Sequence, residues 1–335
     1  MKIYNRRYTG SKFKLVSWIR NLLLSNCKGS ESFCDIFAGT GVVTYSLLDV
    51  YKQYIVNDFL YSNEIIYKAF FLQEDFDYEK LRMHENRYNF LNAKLLSDNY
   101  VSDNYGNKYF SVSDAKIIGY IREDIDILYS NRIVNEKEYC ILLASLLYSF
   151  DKISNTVGHY EAFIKGKDIS DGFIYELIEP VKTNNRIDIF RMDANELAKR
   201  VNCDIVFIDP PYNSRQYSRF YHVMETITKW DKPTLKGVAM KPPEENMSDY
   251  CRNAAREKFT DLIGSLQTKY IAVTYNNTYN SKSTSSQNKI ALEEIEEVLS
   301  HKGPTKIFST QHNAFNAGKT DMEGHKEFLF ITEVK

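Results

Sequence analysis

No two cysteines stand as Cys-x-x-Cys, and the five present (Cys27, Cys34, Cys140, Cys203, Cys251) are odd in number and scattered. That absence offers neither a zinc-site spacing nor a disulfide framework, so a protein with reduced thiols, no metal centre and a cytoplasmic location is expected. Cys34 and Cys203 adjoin predicted core strands and read as packing residues. An excess of one charge is also missing: 43 Lys+Arg against 44 Asp+Glu leave a net charge of -1. This balance neither supports nor excludes nucleic-acid binding, for which only a local basic patch would matter. No apolar run approaches a membrane span, the longest candidate being Cys140 to Phe150, so no membrane partner is expected. Met1 to Gly10 is polar and basic, without the apolar core of a secretory leader. Internal repeats are lacking as well. The 335 residues suffice for one large α/β domain plus an inserted module.

What is present centres on Val206-Phe207-Ile208-Asp209-Pro210-Pro211-Tyr212-Asn213. The apolar run reads as a buried parallel strand, and the prolines stop it, because proline has no N–H for a sheet ladder and a fixed φ. Asp209 and Tyr212 are thereby presented at the carboxyl end of a strand, where open α/β sheets place their ligands. Such a pair suits an exocyclic amine on a nucleobase. The Asp209 carboxylate accepts one N–H, the Pro210 carbonyl accepts the other, and Tyr212 stacks on the base. Two acceptors so placed favour a pyramidal nitrogen with its lone pair aimed at an electrophile, which is catalysis by positioning and electrostatics. The competing reading is a strand-terminating turn that happens to carry an acid.

Upstream, Tyr8-Thr9-Gly10-Ser11-Lys12 precedes a helical pattern through Leu24, with Ser11 a candidate N-cap and Lys12, taken alone, a solvated first-turn lysine. A strand from Ser32 to Phe37 leads into Gly39-x-Gly41 and a helix from Val42, an arrangement that lets backbone approach a ligand closely. A second strand, Tyr54 to Asp58, ends in an acid about 20 residues on, the place where dinucleotide folds bind ribose hydroxyls; a helix N-cap is the alternative for Asp58. From Glu74 to Pro180 strand–helix alternation stops. Helices are predicted near Tyr78–Leu96, Asp114–Tyr129 and Glu136–Phe150, with a polar turn over Ser102–Asn107. His159, Tyr160 and the following lysines read either as contacts to a phosphate backbone or an extruded base, or as a surface loop. Alternation resumes with strands at Ile187–Phe190 and Asp204–Ile208. A polar, basic and aromatic loop then carries Arg215, Tyr217 and Arg219, suited to gripping deformed nucleic acid, and Lys232–Met247 reads as a mobile connection. Tyr270–Tyr275 is a further strand, Asn276–Asn288 a polar tract, Ile290–Leu299 a helix, and Thr305–Ser309 with Glu327–Val334 an antiparallel pair.

The ordered set Tyr8–Lys12, Phe37–Gly41, Asp58, Asp193, Asp209–Tyr212 resembles the D12 class, or alpha group, of DNA adenine-N6 methyltransferases. The run Asp209 to Tyr217 is most similar to the restriction-modification branch that includes the FokI and NlaIII methyltransferases. The resemblance implies a Rossmann-like class I methyltransferase sheet, mostly parallel with an antiparallel strand at its C-terminal end. The catalytic domain would be formed by 1–73 with 181–335, and 74–180 would be a largely helical inserted target-recognition domain. It further implies that Tyr8 and Lys12 help hold S-adenosylmethionine, that Phe37, Gly39 and Gly41 line its amino-acid portion, that Asp58 binds its ribose and that Asp193 contacts its adenine. Asp209 would orient the target amine and Tyr212 would stack on a flipped base. Double-stranded DNA is the implied partner, with a cognate restriction endonuclease paired in function and not necessarily in contact. Relatives commonly carry another residue at Tyr8. Guanine-N2 methylation of RNA is the alternative, and chain order disfavours it; a nicotinamide dehydrogenase lacks its third glycine, since Thr44 stands there. A non-enzymatic DNA-binding protein on the same fold would need no intact motif set.

Overall fold

A computed structural model describes residues 1–277, 287–311 and 325–335. Most of the polar tract predicted over Asn276–Asn288 lies outside the described residues. The chain divides into two compact units: Gly10–Phe59 with Asn185–Tyr217 and Asn246–Lys335, and Met1–Thr9 with Leu60–Asn184 and Ser218–Glu245.

The first unit is built on a seven-stranded sheet. Its strands are β1 (Ser32–Asp35), β2 (Gln53–Asp58), β3 (Arg186–Arg191), β4 (Ile205–Ile208), β5 (Tyr270–Asn276), β6 (Thr305–Gln311) and β7 (Lys326–Glu333). They lie in the order β3-β2-β1-β4-β5-β7-β6. β1 to β5 are mutually parallel, and β7 runs antiparallel between β5 and β6. The predicted α/β sheet with an antiparallel strand at its C-terminal end is thus present, and the predicted last pair is β6 with β7. Strand order reverses between β1 and β4, the kind of switch point where an open α/β sheet leaves a crevice.

Alternation along the strands sets the two faces. Cys34, Val206, Ile208, Ile271 and Val273 join one buried cluster with Phe259, Leu262 and Ile263 of the helix Ala255–Ser265 and Ile295 and Leu299 of the helix Leu292–Ser300. On β1 and β4 the intervening residues face the other way, where Phe33 stacks on Tyr51 and Phe207 at centroid distances of 5.6 and 6.1 Å. All five cysteines are free and buried, so packing accounts for them.

The second unit is helical among the described residues, with helices Tyr61–Phe71, Tyr78–Asn89, Tyr100–Tyr105, Val112–Ser130, Glu136–Ile153 and His222–Lys229. The helix Glu136–Ile153 is buried almost all round from Cys140 to Asp151, as a central helix should be. Two buried cations close helix ends here, where carbonyls lack intrahelical partners. Lys137 donates to the carbonyls of Lys68 and Ala69 at the end of Tyr61–Phe71, at 3.2 and 2.8 Å. Arg122 donates to those of Ile227 and Thr228, at 2.6 and 3.2 Å.

Several local expectations are corrected. Ser102–Asn107 is not a turn throughout: Tyr100–Tyr105 is helical, because Asn99 and Ser102 form a reciprocal capping box and Val101 and Tyr105 are buried. Ser11 does not cap the first helix, which runs Val16–Asn26; a 3-10 turn over Phe13–Leu15 intervenes, and the Ser11 hydroxyl accepts only a long bond, 3.4 Å, from the Phe13 N–H. The helix after β2 has Leu60 as its N-cap, so Asp58 is not its cap. The stretch after Tyr212 is not all loop: Tyr217–Phe220 is helical with Ser218 and Phe220 buried, and the helix His222–Lys229 that follows is buried from His222 to Thr228.

Candidate active site

Each of the parallel strands β1 to β4 delivers an acid at its carboxyl end or within two residues of it: Asp35, Asp58, Asp193 and Asp209. The loop after β1 carries the glycines. Gly39 and Gly41 take φ of 54° and 73°, left-handed values that cost a glycine little and a residue with a Cβ more. The Gly39 N–H donates to an Asp58 carboxylate oxygen at 3.0 Å, which ties the glycine loop to the end of β2. Asn57 reinforces that tie. Its amide donates to the carbonyls of Ile36 and Met192 at 3.0 and 3.1 Å, and its oxygen accepts from the Met192 N–H at 3.0 Å. Asn57 thus braces the segments that carry Phe37 and Asp193. Phe37 is held edge-on against Tyr250 at 5.0 Å. Asp193 caps the short helix Ala194–Ala198 through Oδ1 alone, accepting from the N–H groups of Asn195 and Glu196; no described residue donates to Oδ2. Backbone freedom at two glycines, a fixed acid on β2 and a half-used carboxylate after β3 fit the requirements of a nucleoside-bearing ligand such as S-adenosylmethionine.

The four-residue turn after β4 is the centre of a buried polar network. Asp209 Oδ1 accepts three hydrogen bonds: from Lys12 Nζ at 2.8 Å, from the Tyr212 hydroxyl at 2.5 Å and from the Thr274 hydroxyl at 2.8 Å. Among the described residues nothing donates to Asp209 Oδ2 or to the Pro210 carbonyl. The two acceptors that an incoming amine needs are therefore the two the protein leaves unused. Lys12 is not a solvated lysine. Its side chain is 6% exposed and lies between Asp209 and Glu327, whose Oε1 is 3.2 Å away. Burial pulls the Lys12 ammonium pKa down, but Asp209 and Glu327 together outweigh it and raise the value above that of a free lysine. Burial pushes the Asp209 carboxyl up, Lys12 opposes this and Glu327 adds to it, with a net rise. Tyr212 holds both acids: its hydroxyl lies 2.5 Å from Asp209 and 2.7 Å from Glu327. Lys12 Nζ sits 4.9 Å from the centre of its ring, and Tyr275 packs on it at 4.6 Å.

Thr274, Glu327 and Asp35 were not singled out in the sequence. Asp35 is buried at the end of β1, accepts from the Thr44 hydroxyl at 2.9 Å, and is pushed up to about 7, first by desolvation. For Thr274 the available signal was a polar residue after the apolar run Ile271–Val273; Glu327, beside Lys326 at the start of β7, offered none.

The remaining candidates divide between the two units. Arg215 and Tyr217 follow Tyr212 in the sheet unit and are half-buried. Tyr8, Arg219, His159 and Tyr160 belong to the helical unit. Tyr8 is stacked on Tyr221 at 4.8 Å beneath the Arg6 guanidinium. Arg219 donates to the Pro242 carbonyl at 2.7 Å. His159 stacks on Phe220 at 4.4 Å. Tyr160 is fully buried, with its hydroxyl donating to Asp151 and its N–H to the Phe220 carbonyl, so it packs in the core and does not face solvent.

Comparison with known proteins identifies the family. Residues 8–284 match the D12 class N6 adenine-specific DNA methyltransferase family. The chain is 30% identical to the type II methyltransferase M.NlaIII of Neisseria lactamica, over 97% of this chain and 98% of that protein. It is 29% identical to the modification methylase LlaI of Lactococcus lactis subsp. lactis and 31% identical to the type II methyltransferase M.FokI of Planomicrobium okeanokoites. The alignments cover 96% and 89% of this chain and 53% and 47% of those proteins, so the chain spans about half their length. With most of its length matched, and with its intact Asp209-Pro210-Pro211-Tyr212 turn at the end of β4, the chain belongs to the D12 class of N6 adenine-specific DNA methyltransferases.

Proposed function

We propose that this chain transfers a methyl group from S-adenosylmethionine to N6 of adenine in a specific duplex DNA sequence, as the modification partner of a restriction endonuclease. The observation that carries the reading is the division of labour at Asp209: three protein donors face Oδ1, while Oδ2 and the Pro210 carbonyl have none among the described residues.

Bound S-adenosylmethionine supplies an electrophilic methyl group on a sulfonium. Phe37, Gly39, Gly41, Asp58 and Asp193 would hold it; Tyr8 joins them on the family resemblance alone, and Lys12 is assigned to Asp209 instead. Asp209 Oδ2 and the Pro210 carbonyl would each accept one N–H of the target amine and orient the nitrogen lone pair. With Oδ1 fixed on three sides the carboxylate cannot rotate away, so little reorganisation is needed as charge develops. An adenine inside a duplex cannot reach this turn, so the base is flipped out at a cost of about a few kcal/mol. Tyr212, its hydroxyl tethered, offers the remaining ring surface for stacking. Arg215, Tyr217, Arg219 and His159 are assigned to DNA; Tyr160, being buried, is left out. Residues 1–73 with 181–335 would form the catalytic domain, and 74–180 the target-recognition insertion. M.NlaIII and M.FokI are named as type II methyltransferases and LlaI as a modification methylase, which supports pairing with an endonuclease.

The test is transfer of labelled methyl from S-adenosylmethionine to duplex DNA, with the modified base mapped and RNA as competitor. Asp209→Ala should abolish transfer while cofactor affinity falls much less. Wild-type rates in Asp209→Ala, or label on guanine of RNA, would reject the reading.

A further inference from the structure

Glu327 is a buried acid for which the chemistry above has no use. It lies on β7, 3% exposed, opposite Asn276 of β5. Leu329 and Ile331, on the same face of the strand, are apolar and buried, so packing alone would favour an apolar residue at 327. A buried carboxylate persists only where donors compensate its lost hydration. The compensating donors are the two that also serve Asp209: Lys12 Nζ, 3.2 Å from Glu327 and 2.8 Å from Asp209, and the Tyr212 hydroxyl, 2.7 Å from Glu327 and 2.5 Å from Asp209. Two carboxylates thus compete for one ammonium and one hydroxyl proton, and that proton can be donated to only one of them at a time.

We propose that Glu327 is a positioning residue for methyl transfer, acting through Lys12 and Tyr212 on Asp209. Resting on the function proposed above, it does two things. It fixes the two shared donors from the side opposite Asp209, so that Oδ1 is held and Oδ2 is aimed. It also draws part of the Lys12 charge to itself, so that Lys12 orients the Asp209 carboxylate without neutralising it. Asp209, paired less strongly with Lys12, then keeps the electron density that makes Oδ2 a strong acceptor for the target amine. Among the described residues, Asp35 at the end of β1 and Tyr275 on β5 are titratable groups that also lie near this cluster.

The experiment compares wild type, Glu327→Gln and Glu327→Asp by single-turnover methylation of duplex DNA. Rates are taken per active site, with sites counted by S-adenosylmethionine binding. In Glu327→Gln, Lys12 turns wholly to Asp209. The rate should fall about tenfold or more, with KM for DNA and cofactor changed less than about twofold, the pattern of a positioning loss. With the like charge gone, the acidic limb of the pH–rate profile should move to lower pH. Glu327→Asp keeps the charge one methylene farther back; it should recover part of the rate and shift the limb less. A Glu327→Gln enzyme that loses stability or active fraction but keeps the wild-type rate per site and an unmoved acidic limb overturns the proposal. If Glu327→Gln does not fold, Glu327→Asp decides alone: wild-type rate and limb would overturn the proposal, and a slower rate with a lowered limb would support it. Wild type that transfers no methyl to adenine would instead overturn the function reading, and this inference with it.

Discussion

Lys12→Met tests the energetics of the buried network directly. Methionine keeps the length of the stem and removes the ammonium, leaving Asp209 and Glu327 facing each other without their shared cation. Removing one partner of a buried ion pair costs roughly 3–5 kcal/mol, because the remaining charge stays desolvated. Here the Tyr212 and Thr274 hydroxyls still donate to Asp209, which places the expected loss near about 3 kcal/mol, a fall of roughly 1 M in urea midpoint. The loss should depend on pH. Without Lys12 the Asp209 carboxyl pKa rises further above its unfolded value; a raised acid pKa destabilises the fold fully above the folded pKa, and this cost shrinks as pH falls and the group takes up its proton. The difference between Lys12→Met and wild type should therefore be largest near pH 8 and smaller near pH 5.5. The raised pKa of Lys12 itself adds stability that is lost only as pH climbs past the value for a free lysine, outside this window. Lys12→Met/Glu327→Gln should recover more than half of the loss at pH 8. Urea titrations at the two pH values measure all of this. A pH-independent loss, or a double variant no more stable than the single, would refute the account of Lys12 as the cation shared by two acids.

Two further outcomes follow from buried titratable groups. Asp35, raised from 3.8 to about 7, binds its proton more tightly folded than unfolded, so it should lower stability progressively between about pH 4 and pH 7, by about 4 kcal/mol in total. Asp35→Asn should flatten that part of the melting-temperature profile, and an unchanged slope would contradict the assignment. His222 is fully buried, donates from Nε2 to the Tyr160 carbonyl at 2.9 Å, and is depressed to about 3, chiefly by burial. A lowered base pKa destabilises as pH falls below the unfolded value near 6.5. Its ring should show no NMR titration above about pH 4, and a midpoint near 6 would mean the imidazole is hydrated.

The sheet was legible because β1, β2 and β4 are short, largely apolar runs that lead into glycine, acid or proline, and such punctuation is local. The turn at Asp209 was legible for the same reason: strand, acid, two prolines and an aromatic are contiguous. Glu327 and Thr274 were not. Their importance depends on the register that sets Thr274 beside Leu329 and Asn276 beside Glu327, and register belongs to the assembled sheet. The burial of Lys12 was not legible in its neighbours, because a lysine in a first helical turn, taken alone, is ordinarily hydrated; two acids about 200 and 300 residues away decide it. The burial of Tyr160 was hidden for the converse reason. Its aromatic and basic surroundings look like a surface loop, while Asp151 and Phe220 draw it inward.

The Asp209 cluster gathers Lys12, Tyr212, Thr274 and Glu327 from three separate stretches of chain. Contacts of such long sequence separation form only after large loops have closed, so they come late in folding. Helices with short-range contacts can be complete while the carboxylate is still unanchored. A partly refolded population should therefore show full far-ultraviolet helicity before it gains any catalytic competence, and the lag between the two signals would time the closing of the sheet around its last strand.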